Sequence, residues 1–288
     1  MKNFIITTDI NCDLPQEIYE KFDIRSMQLH YILEGIDYAG NDERITPADF
    51  YEKMRSGSMP QTMQVNPAHA KEVFKSCIDN NCDILHIGFS SALSGSVGSA
   101  QLAAEELRED YPDTKIIVVD SLCASLGQGL LVYKAAQQKA LGKSLEETAT
   151  WTEENKLHVC HYFTVDDLNH LARGGRISKS AAMIGTMMKI KPVMHVDNEG
   201  RLIPLYKARG RKIALNDLVE EMKKHVGSMK NDIVFISHGD CIEEAQYVAD
   251  QIKAEFGIED FVINYVGPTI GAHSGPGTIA LFFMGDAR

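Results

Sequence analysis

The chain has 288 residues, of which 44% are hydrophobic, and a formal net charge of −11. This length is more easily organised as two domains than around one core. The acidic balance argues against nucleic acid as a general partner. No apolar run approaches the roughly 20 residues that a transmembrane helix needs. The first apolar run is too short for a signal peptide, so we expect a cytoplasmic protein.

Cysteine and histidine spacing predicts neither a metal site nor a cofactor site. The six cysteines include no CxxC pair. His158 and Cys160 can share one face of a strand, but His161 would lie on the other face. We therefore expect reduced thiols, most of them in the core.

The first half of the chain alternates predicted strands and helices. Asp13 is expected to cap the first helix, with Pro15 in its first turn. Thr46 and Asn66, each followed by proline, mark the starts of two further helices. Strands are predicted at residues 4–8, 83–89 and 115–120, and residues 27–33 should form a strand or a hairpin through Glu34-Gly35. Repeated strand–helix units of this kind predict a mostly parallel sheet covered by helices.

A short segment resembles a nucleotide-binding motif without completing it. Gly142-Lys143-Ser144 could end a P-loop, but that motif needs glycine where this chain has Gln137. Ser144 and Glu147 instead predict a capping box at a helix start. The composition changes after Asn155, so we expect an N-terminal α/β domain at residues 1–155 and a C-terminal α/β domain at residues 156–288.

The second half predicts a mixed sheet with helices. A hairpin is expected at residues 197–200, and a short helix should end at Gly174-Gly175. Residues 180–188 form an apolar, methionine-rich helical pattern. That pattern suits either core packing or an adaptable apolar tube for a long chain. Strands are predicted at residues 158–163, 201–206, 232–237, 261–266 and 279–284.

Residues 87–100 predict a strand that feeds a helix through small polar residues. The free N–H groups at such a helix start favour an anion, although an ordinary capped turn has the same pattern. The loops after Thr8, Phe89 and Asp120 should converge beyond the carboxyl ends of the parallel strands, where ligands of such sheets bind. We therefore expect an anion site there.

Two further features could serve that site. Residues 173–212 hold ten basic and two acidic residues, a net charge of +8 in an acidic chain. This segment suits an acidic or phosphorylated partner, or is simply a solvated face. His273 lies in a loop rich in glycine and proline, and a histidine on a rigid loop is a candidate ligand-facing group.

Taken together, these motifs resemble the DegV family of fatty-acid-binding proteins, whose members carry the acyl group for bacterial fatty acid kinase. No single motif is specific, but all five occur in family order along essentially the whole chain. They are Thr8-Asp9 with Asp13-Leu14-Pro15, Ser90-Ser91-Ala92-Leu93-Ser94-Gly95-Ser96, Asp120-Ser121 with Gly127-Gln128-Gly129, Arg173-Gly174-Gly175-Arg176-Ile177-Ser178, and His273-Ser274-Gly275-Pro276-Gly277.

The resemblance implies a carrier, not an enzyme, with the ligand between two α/β domains. The fatty-acid carboxylate would be held by Thr62, Ser94, Gly95, His273 and Ser274. The acyl chain would occupy an apolar tunnel, to which we assign Ile184, Met187, Met188 and Met194. The partner kinase would meet Arg173, Arg176 and Arg209.

Two alternatives stay open. Ser94 and His273 could belong to a serine acyl hydrolase with Asp9 or Asp240 as the orienting acid, although Ser94 lacks the Gly-x-Ser-x-Gly context. The protein could also carry a different lipid. This chain has Met63 and Val65 where the family commonly has serine and proline, which changes the loop beside Thr62.

Overall fold

The computed structural model describes residues 2–40, 42–178, 180 and 190–288. The described strands are β1 (Phe4–Asp9), β2 (Arg25–Met27), β3 (His30–Leu33), β4 (Ile36–Ala39), β5 (Gln61–Met63), β6 (Asp83–Gly88), β7 (Ile116–Asp120), β8 (Val159–Thr164), β9 (Ile190–Val196), β10 (Leu202–Arg209), β11 (Ile233–His238), β12 (Asp260–Tyr265) and β13 (Ile279–Met284). The described α-helices are α1 (Gln16–Phe22), α2 (Pro47–Arg55), α3 (Pro67–Asp79), α4 (Ser96–Asp110), α5 (Leu126–Ala140), α6 (Leu145–Asn155), α7 (Leu168–Arg173), α8 (Arg211–His225), α9 (Ile242–Phe256) and α10 (Pro268–Ser274).

The first sheet is wholly parallel, with strand order β2-β1-β6-β7. Every residue of β1 and β6 is buried, as expected for a parallel sheet covered on both faces. The prediction of a helix-covered parallel sheet is confirmed. Because parallel strands end at one edge, the loops after β1, β6 and β7 lie together.

The second sheet has strand order β10-β9-β8-β13-β11-β12 and is mixed, as predicted. Only β11 and β12 pair in parallel among the described strands of this sheet. The β9–β10 hairpin turns where the Asp197-Asn198-Glu199-Gly200 sequence predicts it, and the Arg201 carbonyl accepts a hydrogen bond from the Asp197 N–H. The expected boundary near residue 155 falls at the end of α6, between the two sheets. The division into two domains at that point stays a prediction.

A third, three-stranded sheet, β4-β3-β5, is antiparallel and packs with α2. Its buried cluster includes Ala272 from the C-terminal half and packs against Tyr265. The Tyr51 hydroxyl donates to the Val266 carbonyl at 2.7 Å, and Arg55 pairs with Asp240. These contacts attach a segment of the N-terminal half to the C-terminal sheet.

Local capping signals are confirmed at three helices. The side chains of Thr46 and Asn66 accept from the third residue after each cap, and Ser144 forms a full capping box with Glu147. The expectation for Asp13 is wrong, because α1 begins after Pro15 with no side-chain cap. The helix predicted at residues 180–188 lies outside the described residues, apart from Ser180.

No described helix is long and apolar enough to cross a bilayer. The described residues also contain no cluster of His, Cys, Asp or Glu side chains suited to a metal ion.

We predict that Tyr51→Phe lowers the free energy of unfolding by about 1–3 kcal/mol, because it leaves the buried Val266 carbonyl without a donor. Urea unfolding followed by circular dichroism measures the change. Tyr38→Phe is the control, because no described residue hydrogen-bonds the Tyr38 hydroxyl. Equal effects of the two substitutions would contradict the assigned role of the Tyr51 hydroxyl.

Candidate functional site

A cavity of about 210 Å³ lies at the edge where the loops after β1, β6 and β7 meet α10 and the second sheet. Asn11, Ser94 and Ser125 each come from one of those three loops, so the predicted convergence is confirmed. The C-terminal half supplies the opposite wall. Its lining residues include His161, Phe163, Leu171, Arg176, Val196, Leu202, Val266, Thr269, Ile270, His273, Ser274, Thr278, Ala280 and Phe282.

The loop between β6 and α4 brings Ser94 and Gly95 to the cavity wall. The Ser94 N–H donates to the Ser90 carbonyl at 3.1 Å, which turns the chain into the helix. The hydroxyls of Ser94 and Ser96 lie 3.0 Å apart. Gln64 packs so closely over Gly95 that a β-carbon there would collide with its amide. A side chain at position 95 would therefore displace the Gln64 amide from this position.

Thr62 and His273 meet in the cavity although 211 positions separate them in the chain. Thr62 Oγ1 and His273 Nε2 are 2.8 Å apart. Burial, and then the positive charge of Arg176, lowers the pKa of His273 to about 4. The imidazole is therefore neutral at physiological pH and can carry a proton on one ring nitrogen only.

Gly174, which follows α7, contacts the imidazole ring of His273. A β-carbon on Gly174 would overlap His273 Nδ1, so the backbone at residue 174 lies directly against the ring. The neighbouring Ser274 is 6% exposed, and its Oγ has no hydrogen-bond partner among the described residues. A buried hydroxyl without a partner can accept or donate a hydrogen bond to a ligand.

Arg176 is half-buried and lies in the wall of this cavity, while its assignment to a partner surface stays a prediction. Its Nε donates to the Leu93 carbonyl at 3.1 Å, and Nη1 donates to the Gly174 carbonyl. Burial lowers the pKa of Arg176, but a guanidinium stays charged in proteins. Among the described lining residues there is no Asp, Glu or Lys. The cavity therefore favours an anion.

Sequence reasoning missed Asn11, Ser125, His161 and Thr269 as lining residues. The first two follow from the convergence of the loops, since each lies just beyond a parallel strand. His161 has both ring nitrogens occupied, by the Val159 carbonyl and the Ala124 N–H. Burial holds its pKa well below the usual value. It therefore contributes a neutral ring to the wall.

Of the four residues assigned to the acyl tunnel, the structure describes only Met194. Ile184, Met187 and Met188 lie outside the described residues. Met194 is fully buried in the main core and is not among the described residues that line the cavity. The apolar wall near it comes instead from Phe163, Val196, Leu202 and Phe282.

Within the described residues, the basic segment 173–212 does not form one continuous charged face. Lys191 and Arg211 pair with Asp166, Arg211 also pairs with Glu244, and Arg201 pairs with Asp197. In the described part of the segment, four basic side chains other than Arg176 have no acidic partner within 4 Å: Arg173, Lys207, Arg209 and Lys212. Arg173 binds His170, which lines a second, polar cleft.

The described residues do not form a Ser–His–Asp relay. His273 Nε2 lies against Thr62, and the Ser94 hydroxyl lies against Ser96. Asp9 accepts from the Phe89 N–H, and Asp240 pairs with Arg55. Neither carboxylate contacts His273, so the arrangement lacks the oriented base that a serine nucleophile needs.

A family model described as "Uncharacterised protein, DegV family COG1307" matches residues 3–286. The DegV domain-containing protein CPE0026 of Clostridium perfringens is 46% identical over 289 residues, covering 100% of this chain and 99% of the relative. A DegV domain-containing protein of Streptococcus pyogenes, SPs1668, is 38% identical, with 98% of each chain covered.

Solved structures of similar fold are described as fatty-acid-binding proteins. A DegV family protein from Thermus thermophilus, described by its fatty acid binding, has a TM-score of 0.86 at 29% identity, covering 99% of this chain and 100% of the other. A stearic-acid-binding protein from Eubacterium ventriosum has a TM-score of 0.89 at 26% identity, with 98% of both chains covered.

We predict that Arg176→Gln raises the pKa of His273 above its value near 4 but leaves it below 6.5. The substitution removes the nearby charge, while burial, the larger cause, remains. NMR titration of the imidazole resonances, assigned with a His273→Gln spectrum, measures the shift. Arg173→Gln is the control, since Arg173 contacts His170 instead. An unchanged pKa in Arg176→Gln would contradict this account.

Proposed function

Because this chain belongs to the DegV family, we propose that it carries a long-chain fatty acid. The carboxylate would bind Thr62, Ser94, Gly95, His273 and Ser274, and the acyl chain would fill the apolar part of the cavity and the tunnel assigned to Ile184, Met187, Met188 and Met194. One observation carries the proposal: a largely apolar cavity, lined by both halves of the chain, contains a cluster of hydroxyls, a neutral histidine and a single guanidinium.

The head group would be stabilised by hydrogen bonds and by one nearby charge. In the Nε2–H form, His273 donates to Thr62 Oγ1, which leaves the Thr62 hydroxyl proton free for the carboxylate. The Ser94 hydroxyl and the buried Ser274 hydroxyl are further donors. Arg176 supplies the positive charge, because a buried carboxylate without a counter-charge is costly.

The acyl chain would supply most of the affinity. Transfer of each methylene from water to an apolar wall contributes about 0.8 kcal/mol. The head-group residues then need only replace the water that the carboxylate loses. Met63, which is 40% exposed and lines the cavity, adds a flexible thioether beside Thr62 and suits chains of differing shape.

We propose further that the bound carboxylate is presented to a separate fatty acid kinase in the cytoplasm. A carboxylate oxygen would attack the terminal phosphorus of a nucleoside triphosphate, whose bond to the bridging oxygen breaks. The products are an acyl phosphate and a nucleoside diphosphate. Support for a separate kinase comes from the incomplete P-loop at Gly142 and from the exposed cations Arg173 and Arg209, which suit an acidic partner.

We predict that native mass spectrometry of protein purified from cells finds one fatty acid per chain, and that Ser94→Ala and His273→Ala each lower its occupancy. Ser94→Ala removes a donor for the carboxylate, and His273→Ala removes the group that turns the Thr62 hydroxyl proton towards it. We expect a loss of affinity of about tenfold per substitution. The mass of the bound molecule also distinguishes a fatty acid from another lipid.

Ser91→Ala is the matched control, because Ser91 is exposed and lies outside the described cavity lining. Wild-type occupancy in both site variants would refute the head-group assignment. Catalytic release of a fatty acid from an activated ester, abolished by Ser94→Ala, would instead support a hydrolase.

We predict that Arg209→Ala keeps fatty-acid binding unchanged but slows acyl-phosphate formation by the partner kinase. Arg209 is exposed, has no acidic partner among the described residues and lies outside the cavity lining. Lys253→Ala, which removes an exposed cation on α9, is the control. Loss of lipid binding in Arg209→Ala, or equal rates in both variants, would contradict a docking role.

A further inference from the structure

The side chain of Asp13 lies buried where the edges of the two large sheets meet. Ser125 Oγ donates to Asp13 Oδ2, and Ser125 Oγ also lies 2.7 Å from Ser237 Oγ. The Gly267 N–H donates to Asp13 Oδ1 at 3.1 Å. Asp13 follows β1, Ser125 follows β7, Ser237 is in β11 and Gly267 follows β12. One carboxyl group therefore contacts the loop after β7 and the loop after β12, and Ser125 links it to β11.

The backbone at this junction is held in unusual conformations. Asp13 has φ of 53°, and Ser125 has φ of 53° with ψ of −143°, a combination rare outside glycine. Such conformations persist only where surrounding contacts determine them, and they concentrate at functional sites. Ser125 itself lines the cavity, so the junction and the cavity share a wall.

The junction holds the start of α10, the helix that carries His273 and Ser274. Asn264 Nδ2 donates to the Asp13 carbonyl at 2.8 Å, and the Thr269 hydroxyl donates to Asn11 Oδ1. Together with the Gly267 bond, these contacts tie residues 264–269 to residues 11–13. Because α10 is only seven residues long, a shift at its first residue is transmitted to the imidazole.

We propose that Asp13 is a positioning residue for the head-group site: it fixes the start of α10 on the N-terminal sheet and thereby places His273 against Thr62. This inference rests on the proposed function for its effect on affinity, but not for its effect on the environment of His273. It also gives a role to the Asp13-Leu14-Pro15 motif, which does not cap α1.

Burial raises the pKa of Asp13 to about 8. The titratable groups near it are Cys12, Tyr19 and Tyr51, whose own pKa values are raised by burial, so they are neutral at pH 7. An uncharged Asp13 is therefore compatible with its surroundings. Asparagine has the same shape, keeps an acceptor for the Gly267 N–H and cannot ionise.

The decisive experiment compares Asp13→Ala and Asp13→Asn with Asp83→Ala. Asp83 is also buried and accepts a hydrogen bond from the Lys115 N–H. It lies at the first residue of β6, at the opposite end of the parallel strands from Asp13. Binding of cis-parinaric acid, followed by fluorescence, should weaken about tenfold in Asp13→Ala. The affinities of Asp13→Asn and Asp83→Ala should stay within about threefold of the wild-type affinity. In free energy, this is roughly half of the change that a tenfold loss represents.

A second measurement does not depend on ligand binding. In Asp13→Ala, the NMR-determined pKa of His273 should rise from about 4 towards 6.5, as the ring becomes hydrated. It should remain near 4 in the other two variants. If wild-type protein binds no cis-parinaric acid but this pattern holds, the proposed function fails and the positioning role stands. A folded Asp13→Ala protein with an unchanged His273 pKa would overturn the positioning role.

A pH profile tests the assigned state of the carboxyl group. The folded pKa of about 8 lies above the usual 3.8, so the contribution of Asp13 to stability is full below pH 4 and is lost as the pH rises to 8. The midpoint temperature of thermal unfolding should therefore fall more steeply with rising pH across this window in wild type than in Asp13→Asn. Equal slopes would contradict a neutral Asp13.

A further variant covers the case in which Asp13→Ala does not fold. A β-carbon on Gly267 would lie 2.5 Å from Asp13 Oδ1, while φ of −62° permits alanine there. Gly267→Ala therefore pushes the start of α10 away from Asp13 without removing either hydrogen-bonding group. It should raise the His273 pKa in the same direction. A folded Gly267→Ala protein with unchanged His273 pKa and affinity would overturn the positioning role.

Discussion

The hydrogen bond between Thr62 and His273 depends on contacts made by both halves of the chain. Thr62 belongs to the small third sheet, and His273 belongs to α10, which packs against that sheet. Gly174 leaves room for the ring, and Tyr51 ties α2 to the segment just before α10. The donors therefore come together through tertiary packing and not through one local motif, which is how a buried polar pair is held at low entropic cost.

Burial determines the electrostatics of this region. It keeps His273 neutral and lowers the pKa of Arg176 without removing its charge. A neutral imidazole next to a guanidinium avoids repulsion between two cations, so one positive charge remains for one anion. A charged histidine would instead add a second desolvated cation. The site therefore suits a single carboxylate better than a doubly charged phosphate.

Structural features that depend on residues close together in the chain could be predicted from the sequence. The caps at Thr46, Asn66 and Ser144 follow from side chains within three positions, and the parallel sheet follows from repeated strand–helix units. Sequence reasoning assigned Arg176 to a partner surface and Asp13 to a helix cap, because the residues that they contact lie far away in the chain. Arg176 contacts the carbonyl of Leu93, and Asp13 contacts Gly267. Charge counting along a sequence cannot separate a cation that turns inward from one that faces solvent.

The placement of the third sheet has a consequence for how a ligand could enter. Residues 30–63 belong to the N-terminal half, yet Tyr51 and Arg55 bind Val266 and Asp240 of the C-terminal half. If the two large sheets separated, residues 30–63 would therefore have to follow one sheet and lose their contacts with the other half of the chain. The Thr62–His273 contact can persist only if β5 moves with α10, whereas the Val65 N–H, just after β5, donates to Ser96 Oγ at the start of α4. Opening by that route would divide the head-group donors between two bodies, so a bound carboxylate that contacts both sets favours the closed arrangement.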